Sequence, residues 1–512
     1  MAGALVLSLL LAAGQAATGS PDPALSARSR RGTELMEAGR YAEAVPVFLE
    51  LAKAVPNNAG LLLNLGMALH LSGQDAEAVA PLQAAVRLEP GSFPANLFLG
   101  ASRLRLGKRA AAVGPLEKAV RIDPAHGEAR SLLVDALLGL ERYSAAAAHL
   151  RRLAQREPAD PAVWFTLGRT YEELVARAFE DLLKADPESA YALALVAEAR
   201  LQEGRRETAF RLYRQALDRA PGLRGLHAAV AGIYRAAGHA EWAAVEEERE
   251  QRLPRAVCPG DRLECAFAAG KYVEVAAAAT PKTPEAHYWR VRAYNALAAE
   301  AFGRLTALPP SVPSHEWLAA SHRNERRYAE AVEEWRKAVA LAPRDARLRV
   351  ELALTHRLAG DFAAAQAVLE EVLRAAPDAA DPNYLLGDVF LAQQQPERAI
   401  PLLEKAVRLA PGEPQVHGAL GRAHALVGQP AAAIPHLQKA LPADADGSVR
   451  LQLARALQAA GHVDQARLAL RDYEEFRKAA RPPEADAPES EGGLTPPGEL
   501  PPPSGAATPP PR

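Results

Sequence analysis

The chain has 512 residues, 49% of them apolar and only 5% aromatic, with 60 Lys and Arg against 62 Asp and Glu for a formal net charge of −2. These charges are spread along the chain and form no basic stripe, which argues against a nucleic-acid-binding protein. Two cysteines do not by themselves make a zinc site.

From Met1 to Pro21 there is no charged residue, and Ala2–Ala13 is an apolar run. It is too short to cross a bilayer and has the length of a secretory signal core. Gly14 and Ala16 supply the small residues for a cut after Ala16, so residues 1–16 read as a signal peptide, with the cut at 16–19. No Lys or Arg precedes the run, and a loose N-terminal helix is the competing reading. The expected location is the periplasm or cell envelope of a bacterium, with no transmembrane span once the signal is removed. Ten Lys against fifty Arg, with abundant Ala and Pro, fit a GC-rich bacterial genome.

The stretch Leu62–Pro90 sets the pattern for most of the chain. Leu62, Leu65, Gly66 and Leu69 share one helix face, as do Ala78, Leu82 and Ala85. Gly73 separates the two helices and Pro90 stops the second. The small Gly66 and Ala78 allow close backbone approach, and Leu82 is expected to fill the space between neighbouring units. The pattern returns about every 34 residues. Over residues 25–160 four units carry it, marked by Gly32 and Ala44, Gly66 and Ala78, Gly100 and Ala112, and Val134 and Ala146. They close at Pro56, Pro90, Pro124 and Pro158. Val134 replaces the small residue of the fourth unit and should loosen that hairpin.

In spacing and residue type these units resemble the tetratricopeptide repeat family. The resemblance implies an all-α fold: an α-solenoid, wound as a right-handed superhelix of about 12–14 helical hairpins, each touching only its neighbours.

Residues 161–189 depart from the pattern. Phe179 follows Tyr171 after eight residues where the regular unit has thirteen, and no Gly or Pro lies between Gly168 and Pro187. The turn is missing, which predicts one continuous helix of about 25 residues, roughly 38 Å long. Residues 286–311 repeat this: Tyr294, Leu297, Ala301, Phe302 and Leu305 match Tyr171, Leu174, Ala178, Phe179 and Leu182 at an offset of 123. The two fused helices are expected to divide the solenoid into three arrays, 25–160, 190–285 and 312–480. The second array degrades near its end. The third has units centred on Ala319 and Ala331, Ala353 and Ala365, Gly387 and Ala399, Gly421 and Ala433, and Ala454 and Ala466, and ends in a charged capping helix through Tyr473 and Phe476. Residues 481–512, dominated by Pro and Gly, cannot build a packed face and should be a disordered tail.

Chemistry is sparse. Cys258 and Cys265 flank Pro259-Gly260, which prevents a helix between them, and export to an oxidising compartment would favour their pairing. A Cys258–Cys265 disulfide is expected to contribute roughly 2 kcal/mol; two buried thiols are the alternative. The pairs His315/His322 and His417/His424 lie seven apart, not the four that bring two imidazoles onto one metal, so a core role is expected. There is no HExxH, no GxSxG in a strand-turn-helix setting and no phosphate-binding loop. The reading is of a protein with no catalytic residues, no metal and no cofactor.

What remains is surface. The family resemblance implies that the first helix of each hairpin lines a concave groove for peptide segments. The groove candidates are Leu63, Asn64, Met67, Leu97 and Phe98 early in the chain and Trp317, Tyr384 and Asp388 later, a set that suits protein or peptide partners and not a nucleic acid or a small-molecule substrate. Some members of the family clamp a C-terminal carboxylate with Lys, Asn and Arg. The matching positions here are Ser29, Thr33, Asn64, Pro94 and Phe98, where only the Asn is present, so that activity is not implied. The leading expectation is an exported scaffold without catalytic activity. Its rivals are the arm of a polysaccharide export, secretion or glycosyl-transfer complex, and a cytosolic co-chaperone or signalling adaptor.

Overall fold

A computed structural model describes residues 23–253, 263–278, 282–479 and 494–497. Among the described residues there are 26 α-helices, one short 3-10 turn and no strand. Twenty-two of the helices form eleven packed pairs, from Pro23–Glu37 with Tyr41–Ala54 to Ser448–Ala459 with Val463–Ala479, and the short helices Leu263–Ala268 and Tyr272–Ala277 flank a twelfth turn. The signal-like N-terminus lies outside the described residues, as does the Pro-rich tail except for 494–497.

The pairs are hairpins because each turn demands a left-handed residue. All twelve turns place one residue at positive φ: nine are glycines, such as Gly73 at 84° and Gly107 at 70°, and three are Glu141 at 57°, Arg326 at 60° and Gln394 at 59°. Glycine takes this conformation at no steric cost, whereas a Cβ makes it unfavourable.

Inside five of the hairpins a glycine faces a large residue. A Cβ on Gly100 would stand 2.5 Å from Leu116 Cγ, one on Gly387 would stand 2.7 Å from Leu403, and one on Gly32 would stand 2.8 Å from the Phe48 ring. Gly66 is covered in the same way by Leu82. Leu82 therefore fills the interior of its own hairpin, where the sequence reading had it between units, because the glycine removes the side chain that would have kept it out. The fourth hairpin has Val134 at this place, and its two helices make less close approach than those of the second and third.

A polar device joins successive hairpins. Four residues before the small one, the first helix often carries an N–H donor in place of a large apolar side chain. Asn96 donates to the carbonyl of Pro90 at 3.2 Å, Arg130 to Pro124 at 2.6 Å, Trp164 to Pro158 at 2.9 Å and Asn383 to Pro377 at 2.9 Å. Arg349 reaches Pro343 in the same manner. His417 uses Nε2 on Pro411 at 3.1 Å, and because a carbonyl only accepts, Nε2 carries the hydrogen. Each donor thus satisfies a carbonyl left over where the previous helix stopped.

Where the sequence lacks a turn, Pro161–Ala185 is one helix of 25 residues and Pro284–Thr306 one of 23. The chain groups into two compact units. The first comprises Met1–Glu180, Gly270–Ala278 and Trp289–Arg304; the second comprises Asp181–Ala269, Ala279–Tyr288 and Leu305–Arg512. Within the first unit the two long helices meet. The rings of Tyr171 and Tyr294 lie 6.2 Å apart, and a Cβ on Gly168 would stand 2.6 Å from the Phe302 ring. Within the second unit the run of hairpins ends at Val463–Ala479, whose surface is mostly solvated as a capping helix requires. Cys265 is half-buried in the short helix Leu263–Ala268, but Cys258 and hence the expected disulfide lie outside the described residues.

Candidate partner-binding surface

The first helix of a hairpin is packed on three sides, one of them against the second helix of the preceding hairpin, as Tyr41–Ala54 packs on Ala59–Leu71. It also meets its own second helix and the first helix of the next hairpin, as Ala59–Leu71 meets Phe93–Arg105 and Ala380–Ala392 meets Pro414–Leu426. The rest of its surface is the candidate for partner binding. Leu63, Met67 and Leu97 fall outside it: they are 7%, 2% and 5% exposed and sit in the core. Leu63 and Met67 pack in one cluster with Leu35, Phe48 and Leu99, and Leu97 packs in another with Leu116 and Leu133. Asn64, Phe98, Trp317, Tyr384 and Asp388 are half-buried, so part of each meets solvent.

Phe98 belongs to the first unit, where its ring meets His70 edge-on at 5.4 Å. Trp317, Tyr384 and Asp388 belong to the second, on first helices that ion pairs link one to the next. Arg347 holds Glu316 through two hydrogen bonds of 2.8 and 2.6 Å, and Arg323 reaches Glu351 at 2.6 Å. Asp388 is held from both sides, by Arg422 at 2.5 Å and Arg357 at 2.8 Å. The Tyr384 hydroxyl has its pKa raised by burial and by Asp388, so it remains a protonated donor. This strip offers an aromatic edge, a phenol and fixed charges of both signs.

A polar cluster in the first unit is built around His70. His70 Nδ1 lies 2.6 Å from Asp75 and 2.9 Å from Ser102 Oγ, and Arg105 reaches the other Asp75 oxygen at 3.0 Å. A Ser-His-Asp triad requires acid and hydroxyl on opposite ring nitrogens, whereas both meet Nδ1 here, and one nitrogen cannot at once donate to Asp75 and accept the proton of Ser102. Sequence reasoning passed over this group because its members lie in two successive hairpins. His315, His417 and His424 are buried as expected, while His322 is only half-buried; the His417 ring stacks on His436 at 5.1 Å. Among the described residues no cluster of three or more His, Cys, Asp or Glu is arranged to hold a metal, and no helix is long and apolar enough to cross a membrane.

Two family profiles described as tetratricopeptide repeat match the chain, one at residues 103–170, 356–423 and 390–448, the other at 29–93, 176–224 and 318–380. Together they span more than half of it, and the repeat class defined by the hairpins is thereby given its name. The chain belongs to the tetratricopeptide repeat family. Solved structures similar to it include "MamA MSR-1 C2", at 23% identity over 33% of this chain and 98% of that one, with a TM-score of 0.29. TTC0263, a thermophilic TPR protein in Thermus thermophilus, is 21% identical over 33% of this chain and 98% of its own, with a TM-score of 0.28. The APC/C hetero-tetramer Cut9-Hcn1 is 14% identical over 83% and 95%, with a TM-score of 0.29. No curated protein matches.

Proposed function

We propose that this protein is a scaffold, without catalytic activity of its own, that binds segments of partner proteins along the first helices of its hairpins and works in a bacterial cell envelope. Proteins of this repeat family generally mediate protein–protein interactions. The observation that carries the reading is the strip around Tyr384 and Asp388, where a half-buried phenol sits beside a carboxylate fixed by Arg357 and Arg422. Such groups are already ordered before a ligand arrives, which reduces the entropy lost on binding. Trp317 and Phe98 add the aromatic area typical of protein interfaces. The envelope location rests on the apolar run Ala2–Ala13, and the Cys258–Cys265 disulfide is proposed with it.

The test is a cross-linked capture from intact cells, with the full chain as bait beside a Phe98→Ser, Trp317→Ser, Tyr384→Ser variant of unchanged helicity. The reading expects a partner enriched by the first and lost from the second. Equal recovery by both would place binding elsewhere. Sequencing the N-terminus of the chain taken from the cell tests export: a start between residues 17 and 20 supports it, and an intact Met1 in soluble cytoplasm contradicts it.

A further inference from the structure

One contact in the second unit joins residues 261 apart: Tyr234 donates from its hydroxyl to the carbonyl of Thr495 at 2.5 Å. The acceptor lies in Leu494-Thr495-Pro496-Pro497, within the Pro-rich tail, and the donor on the helix Leu226–Ala236. Three features make this a site. First, Tyr234 is 0% exposed and set in an aromatic cluster, with Phe210 at 5.4 Å and Trp242 edge-on at 5.5 Å; Trp242 in turn stacks on His239 at 4.1 Å. Burial raises the pKa of the phenol, which keeps it a donor.

Second, the tail sequence is made to stay extended. Pro496 and Pro497 have fixed φ and no N–H, and a residue before proline is held out of the helical region. A segment of this kind loses little entropy on docking and cannot hide its carbonyls in a helix. Third, exposure alternates with the right period. Leu494 and Pro497 are half-buried while Thr495 and Pro496 are exposed. A polyproline II helix has three residues per turn, so residues i and i+3 share a face, and it is that face which meets the protein. Aromatic surfaces that donate a hydrogen bond to a carbonyl of such a helix are a recurring mode of peptide recognition.

We propose that the aromatic surface around Tyr234, Trp242 and Phe210 is a receptor for extended Leu-x-Pro-Pro segments, and that the chain's own Leu494–Pro497 occupies it in cis. The assignment does not depend on the first-helix strip of the proposed function. Because the segment is tethered, its effective concentration is on the order of millimolar. A partner carrying the same spacing must therefore displace the tail, which makes the tail a competitive gate on this surface. The tail has a second Thr-Pro-Pro at Thr508-Pro509-Pro510, but Ala507 stands where Leu494 would be, so it lacks one of the two residues that bury.

The test uses the full chain and a dye-labelled peptide covering residues 492–499, read by fluorescence anisotropy. Wild type, with its site filled, is expected to bind the peptide weakly. Leu494→Asp, which empties the site, should bind it about tenfold more tightly. Adding Tyr234→Phe, which removes one oxygen and keeps the ring, should reverse most of that gain. A peptide in which Leu494 and Pro497 are exchanged for Asp is the specificity control and should not bind. The proposal is overturned if Leu494→Asp binds no better than wild type, if Tyr234→Phe has no effect in that background, or if none of the chains binds at 1 mM peptide. Photocross-linking from residue 494 in the wild-type chain gives a readout without any peptide: attachment within 206–252 supports cis occupancy, and attachment only elsewhere contradicts it.

Discussion

Asn383 lends one side-chain amide to two carbonyls, that of Pro377 at 2.9 Å and that of Ala379 at 2.7 Å, and so locks the start of one hairpin to the proline that ended the hairpin before. Asn96 does the same with Pro90 at 3.2 Å and Ser92 at 2.7 Å. Both are almost fully buried, 2% and 1% exposed. Replacing Asn383 by Leu removes the donor and should cost about 1 kcal/mol. Replacing it by Asp places a carboxylate against two acceptors in a buried setting and should cost more, roughly 2–3 kcal/mol. Urea unfolding of the two variants decides the matter; equal costs would mean the amide serves only as packing volume.

The three side chains held at positive φ are places where the sequence works against the turn. Glu141→Gly, Arg326→Gly and Gln394→Gly should each stabilise the chain by about 0.5–1 kcal/mol, since the left-handed conformation is unfavourable by roughly 1 kcal/mol or more for a residue with a Cβ. Gly73→Ala, at φ 84° with open space around it, should destabilise by a similar amount. Thermal unfolding of the four variants tests the pairing of signs, and a destabilising Gln394→Gly would contradict it.

Gly387→Ala probes the hairpin interior. Its new Cβ would stand 2.7 Å from Leu403, so the helices must part or the leucine must change rotamer, at a cost of about 1–3 kcal/mol. Combining it with Leu403→Val should recover part of that loss. Strict additivity of the two substitutions would show that they do not meet.

Four histidines set a pH dependence. Burial lowers the pKa of His70, His149, His356 and His436 from their ordinary 6.5, although Asp75 and Asp361 work in the other direction on the first and third. A histidine whose folded pKa is depressed takes up its proton more readily in the unfolded chain. Stability is therefore complete above about pH 6.5 and is lost as pH falls below it. The urea midpoint should drop between pH 7.5 and 5.5, and less so for His436→Gln. A midpoint that rises on acidification would have the wrong sign.

The hairpins were legible because two residues carry most of their geometry: a glycine at the turn, as in Gly73, and a small residue facing a large one, as in Gly66. The continuous helix Pro161–Ala185 was legible for the same reason, since the absence of a turn glycine between Gly168 and Pro187 left nothing to stop it. The carbonyl device was not, because Asn96, Arg130, Trp164, Arg349, Asn383 and His417 share no property but an N–H at one distance from the preceding proline. Periodicity sorts residues by face and does not say how many neighbours a face has. Leu63, Met67 and Leu97 lie beside the groove positions and are covered by the adjoining hairpins, so what the sequence offered as a binding surface is reduced to Asn64, Phe98, Trp317, Tyr384 and Asp388.

The most direct test of the scaffold account is amide hydrogen exchange of the full chain with and without its captured partner. The account predicts slowed exchange in first helices, above all Ala380–Ala392 and Val312–Asn324, with Phe362–Ala375 and Pro396–Leu409 unchanged. Protection confined to second helices would place the partner on the opposite surface and contradict the account.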